Sequence, residues 1–174
     1  TATPDRLALL KTAGFDRISI GVQSFFENEA HAMGRPQRAG EVNAALDAIR
    51  QVDFGCLNVD LIYGAAMQTP LSFVQSIRRA LEWKPEEIYL YPLYVRARTG
   101  LDGRGKVEDE HRRKLYRAGR DWLLEAGYTQ MSMRCFRRVD APSTDEFSCQ
   151  EDGVIGLGTG ARSYTARAHY SAGY

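Results

Sequence analysis

The sequence predicts an α/β protein built on a parallel sheet. Three observations point there. Strand-like apolar runs alternate with amphipathic helical runs from residue 4 to about residue 126. The strand-like runs are largely apolar throughout, as in strands covered by helices and buried on both faces. Two of the helical runs open on Thr followed by Pro, Thr3-Pro4 and Thr69-Pro70, which is a helix start with proline in the first turn. Right-handed crossovers then put the helices on one side of the sheet. Three such strands cannot close a barrel. The pattern fits an open three-layer sheet or part of a β/α barrel.

The elements follow in order. After Thr3-Pro4, Leu7, Leu10 and Ala13 form a short apolar stripe, and Gly14 is the stop. Ile18, Ile20 and Val22 alternate with Ser19 and Gly21 and run into Gln23, which predicts a strand over 17–23. Val42, Ala45, Leu46 and Ile49 recur at helical spacing and predict a helix over 41–52. "CLNVDLIYG" predicts a second strand over 57–63, and Phe73, Val74, Ile77 and Leu81 predict the helix after it. "EEIYLYPLYV" predicts a third strand over 87–94. Leu115, Ala118, Trp122 and Leu123 mark a long helix over 107–126, stopped by Gly127, and "YTQMSMRCF" reads as one further strand. A polar stretch and a small-residue turn, "IGLGTGARSY", complete the chain. A half barrel of this kind is expected to expose an open sheet edge and an apolar inner face, which favours aggregation.

The chain has 174 residues, 44% hydrophobic and 26% charged. That is an ordinary globular composition for one domain or part of a larger one. A net charge of +1 gives no bulk electrostatic case for nucleic acid or an anionic membrane. No apolar run reaches the roughly 18 residues of a membrane span, and no signal peptide is visible. Cys56, Cys135 and Cys149 are too scattered for a disulfide framework. The expectation is reduced thiols in a cytoplasmic protein. The opening "TATPDRL" lacks an initiator Met and the chain stops at Tyr174 without an ending signal. A fragment is therefore expected.

In parallel α/β folds ligands bind at the carboxyl ends of the strands. The polar residues expected there are Gln23, then Asp60 with Gly64 at the strand exit, then Tyr91 and Tyr94 leading to Arg96 and Arg98. Asp60 stands out, because a carboxylate among Val59, Leu61 and Ile62 is costly to bury unpaired. It is either a structural partner for an Arg or backbone amide, or a ligand contact. Arg35 in "MGRPQ" precedes a helix and by itself reads as surface charge. "GLGTG", Gly156 to Gly160, lacks the Lys-Ser/Thr ending of a P-loop; with Gly158 and Gly160 it is a tight turn or a place where backbone approaches a ligand. His31, His111 and His169 have no metal-ligand spacing. No catalytic nucleophile with an obvious base is visible.

"DRISIGVQSF", "GRPQ", "NVDLIYG" with "QTP", and "EEIYLYPLYV…TGL", in that order, resemble radical S-adenosylmethionine enzymes of the oxygen-independent coproporphyrinogen III oxidase type. The match runs from about residue 4 to 126, and "IGLGTGARSY" looks like the family's later glycine-rich turn. The resemblance implies a TIM-like β/α barrel of radical S-adenosylmethionine type, with parallel strands and outer helices. Residues 1–126 would be its latter part and 127–174 the start of a C-terminal family-specific region. It further implies S-adenosylmethionine and a [4Fe–4S] cluster as cofactors. The cluster ligands, a CxxxCxxC segment, are expected upstream of Thr1, and no such segment is present here. By motif match Gln23, Arg35 and Asp60 fall on S-adenosylmethionine-binding positions.

The implied reaction is hydrogen abstraction from a tetrapyrrole or related small molecule, with flavodoxin or ferredoxin as electron donor. The fragment alone would be inactive. The alternative within the resemblance is a haem chaperone that binds S-adenosylmethionine. A plain β/α aldolase would need a Schiff-base lysine on a strand, but Lys84 and Lys106 flank elements instead.

Overall fold

The computed structural model describes residues 2–94, 108–142 and 153–171. The chain divides into two units, residues 1–141 and 142–174. In the first, helices and strands alternate as α1 (Pro4–Thr12), β1 (Arg17–Gln23), α2 (Glu27–Ala32), α3 (Ala39–Val52), β2 (Cys56–Tyr63), α4 (Pro70–Leu81), β3 (Glu87–Pro92), α5 (Asp109–Glu125), β4 (Tyr128–Gln130) and β5 (Cys135–Arg138). One sheet runs β1-β2-β3-β5-β4. β1, β2 and β3 are consecutive parallel neighbours, as the alternation predicts.

The hairpin β4–β5 departs from expectation. "YTQMSMRCF" is not one strand. It is interrupted over 131–134, and β5 joins β3 antiparallel, with β4 on the outer edge. Ser132 makes the interruption: its Oγ accepts from the amides of Arg134 and Cys135, a hydroxyl-built turn. The short α2 was also not foreseen. It offers too few residues for a periodic signal.

Local chemistry explains the helix ends. Thr69 accepts from the Ser72 amide while Ser72 Oγ accepts from the Thr69 amide, with Pro70 next in line, a reciprocal cap at the start of α4. Gly127 stops α5 with φ +84°. Where α4 and α5 cross, Gly119 is squeezed: a Cβ there would lie 2.5 Å from Phe73 Cε1 and 2.9 Å from Ile77 Cδ1.

The sheet has two unlike faces, because alternate residues point to opposite sides. Ile18, Ile20, Val22, Leu57, Val59, Leu61, Tyr63, Ile88, Leu90 and Phe136 share one core with apolar side chains of α1, α3, α4 and α5. The described helices of that core therefore cover one face. The other face carries Arg17, Ser19, Asn58, Asp60, Glu87, Tyr89 and Tyr91 by the same alternation and register. The expectation of strands apolar on both faces, and of an apolar inner surface, is corrected here. In "CLNVDLIY" the odd-numbered residues, Leu57 to Tyr63, go to the helices, and the even-numbered Cys56, Asn58, Asp60 and Ile62 go to the open face. Among the described residues β1 is an edge of the sheet, and a groove of about 590 Å³ flanks it between α1 and α3, lined by Leu7, Leu10, Ile18, Val42 and Ile49 among others.

The second unit contains the hairpin β6 (Arg162–Tyr164) and β7 (His169–Ser171). Val154 bridges to Tyr164, and Tyr164 stacks on His169 with ring centroids 4.5 Å apart.

Candidate functional site

The open face toward the carboxyl ends of β1 and β2 brings together two of the residues singled out from the sequence, Gln23 and Asp60. Gly21 pairs with Asp60 in register, and an irregularity follows between Gly21 and Gln23. Gln23 adopts φ +65°, unusual for a residue with a side chain. Its side chain folds back over Gly21, where a Cβ would lie 2.5 Å from Gln23 Nε2. Glycine before the strand-ending glutamine thus makes room for the amide. Gln23 and Asp60 come to the same side of two neighbouring strands.

Asp60 is half-buried. Burial pushes its carboxyl above the usual range, opposed by the hydrogen bond from Asn58 and the charge of Arg17. Asn58 Nδ2 donates to Asp60 Oδ1 at 2.7 Å and to Ser19 Oγ at 3.2 Å. Asn58 is only 3% exposed, and its Oδ1 has no hydrogen-bond partner. Such an orphan costs about 1–3 kcal/mol. Arg17 pairs with Glu87 at 2.6 Å and lies over the Tyr89 ring. Tyr89 stacks on Tyr91, and Arg134 lies over Tyr91 with its guanidinium 5.4 Å from the ring centre. Burial pushes the Tyr89 and Tyr91 hydroxyls up, so both stay neutral hydrogen-bonding groups.

Behind this face, a buried polar network ties the loops together. Ser24 Oγ donates to Glu29 Oε2 at 2.6 Å and lies 3.1 Å from Ser76 Oγ. Gln68 Nε2 donates to the same Glu29 oxygen at 3.2 Å and to the Ile62 carbonyl at 3.0 Å. Gln68 Oε1 accepts from the Gly64 and Ala65 amides. Gly64 takes φ +103° at the exit of β2. The residue after Gln23 and the turn after β2 are thereby anchored to one carboxylate.

Arg35 is placed differently. It lies between α2 and α3 with an exposed side chain, and among the described residues it makes no hydrogen bond or ion pair with Gln23 or Asp60. In the same segment Gln37 Nε2 donates to the carbonyls of Val22 and Ser24, holding the chain against the end of β1. Gly158 and Gly160 sit in the second unit with φ +101° and +72°. The Gly156 amide there donates to Ser163 Oγ at 3.0 Å. Arg96, Arg98, Lys106 and Cys149 lie outside the described residues.

Among the described residues no group of three or more His, Cys, Asp or Glu side chains is placed to hold a metal ion. Cys56 and Cys135 are free and buried. Burial pushes the Cys56 thiol up to about 11, the opposite of what a thiolate ligand needs. The residues fit an organic ligand with hydroxyl or ammonium donors better. They offer an amide poised over a glycine, a carboxylate, and a buried acceptor beside it. Among the described residues no helix is long and apolar enough to cross a membrane.

Sequence reasoning missed Asn58, Ser19, Glu29 and Gln68. Asn58 was legible, since a residue two before Asp60 in a strand shares its face. Glu29 and Gln68 carry no local signal, because their partners are remote in sequence.

No family model matches the chain. Oxygen-independent coproporphyrinogen III oxidase of Escherichia coli (strain K12) is 30% identical over 158 residues, which cover 87% of this chain and 34% of that protein. Heme chaperone HemW of the same organism is 28% identical over 164 residues, covering 92% of this chain and 43% of that protein. The solved structure of coproporphyrinogen III oxidase (HemN) from Escherichia coli, described as a radical SAM enzyme, matches with a TM-score of 0.75 at 26% identity, over 92% of this chain and 41% of that one. The chain thus spans well under half the length of these relatives.

Proposed function

This chain is a homologue of the oxygen-independent coproporphyrinogen III oxidase-like radical S-adenosylmethionine proteins, and from that premise we propose that its open sheet face binds S-adenosylmethionine. The observation that carries the reading is the pairing of Gly21 with Asp60, with Gln23 folded over Gly21. It puts an amide and a carboxylate together at the carboxyl ends of adjacent parallel strands. Gln23 can donate to and accept from ligand hydroxyls. Asp60 accepts from the ligand's ammonium or hydroxyl groups. Arg35 forms a charge-assisted pair with its carboxylate, which requires the exposed side chain to turn onto the ligand. When bound, S-adenosylmethionine supplies the radical source for hydrogen abstraction in this family. The chain's own residues bind and orient it. The donor set does not fit an iron–sulfur cluster, so the face is read as holding the organic cofactor alone.

In the same reading, residues 1–126 are the latter part of a radical S-adenosylmethionine barrel and 127–174 begin a C-terminal region. Among the described residues the outer edge of β1 has no partner strand, which supports this reading, since a further strand can add there. The whole protein is proposed as a cytoplasmic oxidoreductase acting on a tetrapyrrole or related small molecule, with reducing equivalents from a flavodoxin or ferredoxin. The second reading, a haem chaperone of the same family, is supported by a similarity to HemW nearly equal to that of the oxidase. Haem transfer to apoproteins without deoxyadenosine-coupled product would decide for the chaperone.

Titration calorimetry with S-adenosylmethionine on the anaerobically reconstituted full-length protein tests the site. Losing a charged contact costs about 1.5–3 kcal/mol, or roughly 10- to 150-fold in affinity. Asp60→Ala and Arg35→Ala should each weaken binding by about that factor and leave the iron–sulfur absorbance unchanged. Unchanged affinity in both variants would leave Asp60 a buried polar residue and Arg35 a surface charge.

A further inference from the structure

We propose that Asn58 is a positioning residue for Asp60, fixing one carboxylate oxygen so that the other is presented to a ligand. The inference rests on the reading that Asp60 contacts the cofactor.

The geometry is specific. Asn58 sits on the strand that carries Asp60, two residues earlier and on the same face. One amide nitrogen donates along the strand to Asp60 Oδ1 at 2.7 Å and across to Ser19 Oγ on β1 at 3.2 Å. Among the described residues no hydrogen bond reaches Asp60 Oδ2. The carboxylate is thus pinned through Oδ1 with Oδ2 left available.

What the site gives up to keep this asparagine points the same way. Asn58 is 3% exposed and its Oδ1 is an orphaned buried acceptor. An unsatisfied buried acceptor destabilises a fold, and asparagine is a poor strand former beside the aliphatic residues available to this position. Nothing in the packing favours it. Its two donated hydrogen bonds are what it contributes, and one of them goes to the carboxylate.

The electrostatics add a second consequence. Burial favours the neutral form of Asp60, while the Asn58 hydrogen bond and Arg17 favour the charged one. The titratable and charged groups sharing the face are Arg17 on β1, Cys56 on β2, Glu87, Tyr89 and Tyr91 on β3, Cys135 and Arg137 on β5, and Arg134 just before it. Tyr91 interacts with the charge of Asp60. Removing the Asn58 amide takes away one of the two influences that keep Asp60 ionised. The carboxyl then protonates at a higher pH, and binding that needs the carboxylate fails earlier on acidification.

The experiment uses Asn58→Leu, which keeps the branched shape and the number of heavy atoms and removes every side-chain hydrogen bond, with Asn58→Ala as the second variant should the bulkier leucine disturb the sheet. S-adenosylmethionine affinity is measured on the reconstituted full-length protein across about pH 5 to 8, alongside denaturant midpoints. We expect affinity to fall by about 2- to 13-fold, one ordinary net hydrogen bond. The acid limb of the affinity profile should move to higher pH in the variants. Folding stability should not fall in step, since an orphaned acceptor leaves with the side chain. Wild-type binding with unchanged affinity and acid limb in both variants would overturn the role of Asn58 alone. An affinity loss that tracks lost stability, with the acid limb unmoved, would overturn it too and make Asn58 structural. A wild-type protein that fails to bind S-adenosylmethionine at any pH would overturn the cofactor reading itself, and this inference with it.

Discussion

Gln23 Nε2 occupies the space that a side chain on Gly21 would need, 2.5 Å from where its Cβ would sit. The glycine and the glutamine therefore act as a pair. Gly21→Ala should push the flexible amide off the open face while leaving β1 intact, because only the far end of a side chain has to move. The expected result is a loss of about 2- to 13-fold in S-adenosylmethionine affinity, with the thermal midpoint within a few degrees of wild type. Full affinity in this variant would show that the amide finds its ligand by another route.

Gln23 also holds a left-handed backbone, φ +65°, which costs a residue with a Cβ about 1–2 kcal/mol. Gln23→Gly should relieve that strain and keep or raise stability while weakening the ligand. Urea denaturation and calorimetry on the same preparations read both quantities. A variant both less stable and unchanged in binding would contradict the assignment.

Glu29 is 3% exposed and joins Ser24 to Gln68. Glu29→Ala removes an acceptor from both, while Gln68 Nε2 keeps the Ile62 carbonyl and Ser24 Oγ keeps Ser76, so a loss of about 1–3 kcal/mol in all is expected. Gln68→Ala releases the amides of Gly64 and Ala65 as well. The two substitutions share a partner, so a double-mutant cycle should be non-additive by about 0.5–3 kcal/mol. Strict additivity would mean that the loops after β1 and β2 are anchored independently.

Gly119 lies against Phe73 and Ile77 where α4 and α5 cross, with no room for a methyl group. Overpacking costs about 1–3 kcal/mol, against roughly 1 kcal/mol gained in helix propensity. Gly119→Ala should on balance lower the denaturation midpoint. A raised midpoint would show that the crossing accommodates the methyl group.

Cys56 has its thiol pushed up from 9.0 to about 11, first by burial and then by Glu87. It should resist alkylation at pH 8 until the protein unfolds. The sign of the pH effect follows. A group raised on folding contributes stability in full below its unfolded value, and loses it as pH climbs from about 9 through about 11. Rapid native-state alkylation of Cys56, followed by mass spectrometry, would contradict the burial.

The sequence by itself determined the order of elements and the parallel set. Alternation within "RISIGVQ" and "CLNVDLIY" and the caps at Thr69-Pro70 and Gly127 are local signals, and local signals survive without knowledge of partners. The placement of Gln23 at the end of β1 and of Asp60 within β2 was legible for the same reason. Only the tertiary structure decided which face each strand turns to the helices, because that depends on register between strands 39 residues apart, as for Ser19 and Asn58. It also decided that "YTQMSMRCF" breaks into an antiparallel hairpin, where the hydroxyl of Ser132 competes with strand continuation. The Glu29 network belongs to the same class. A buried carboxylate is stabilised by donors that folding brings to it, and those donors, Ser24 and Gln68, share no pattern along the chain.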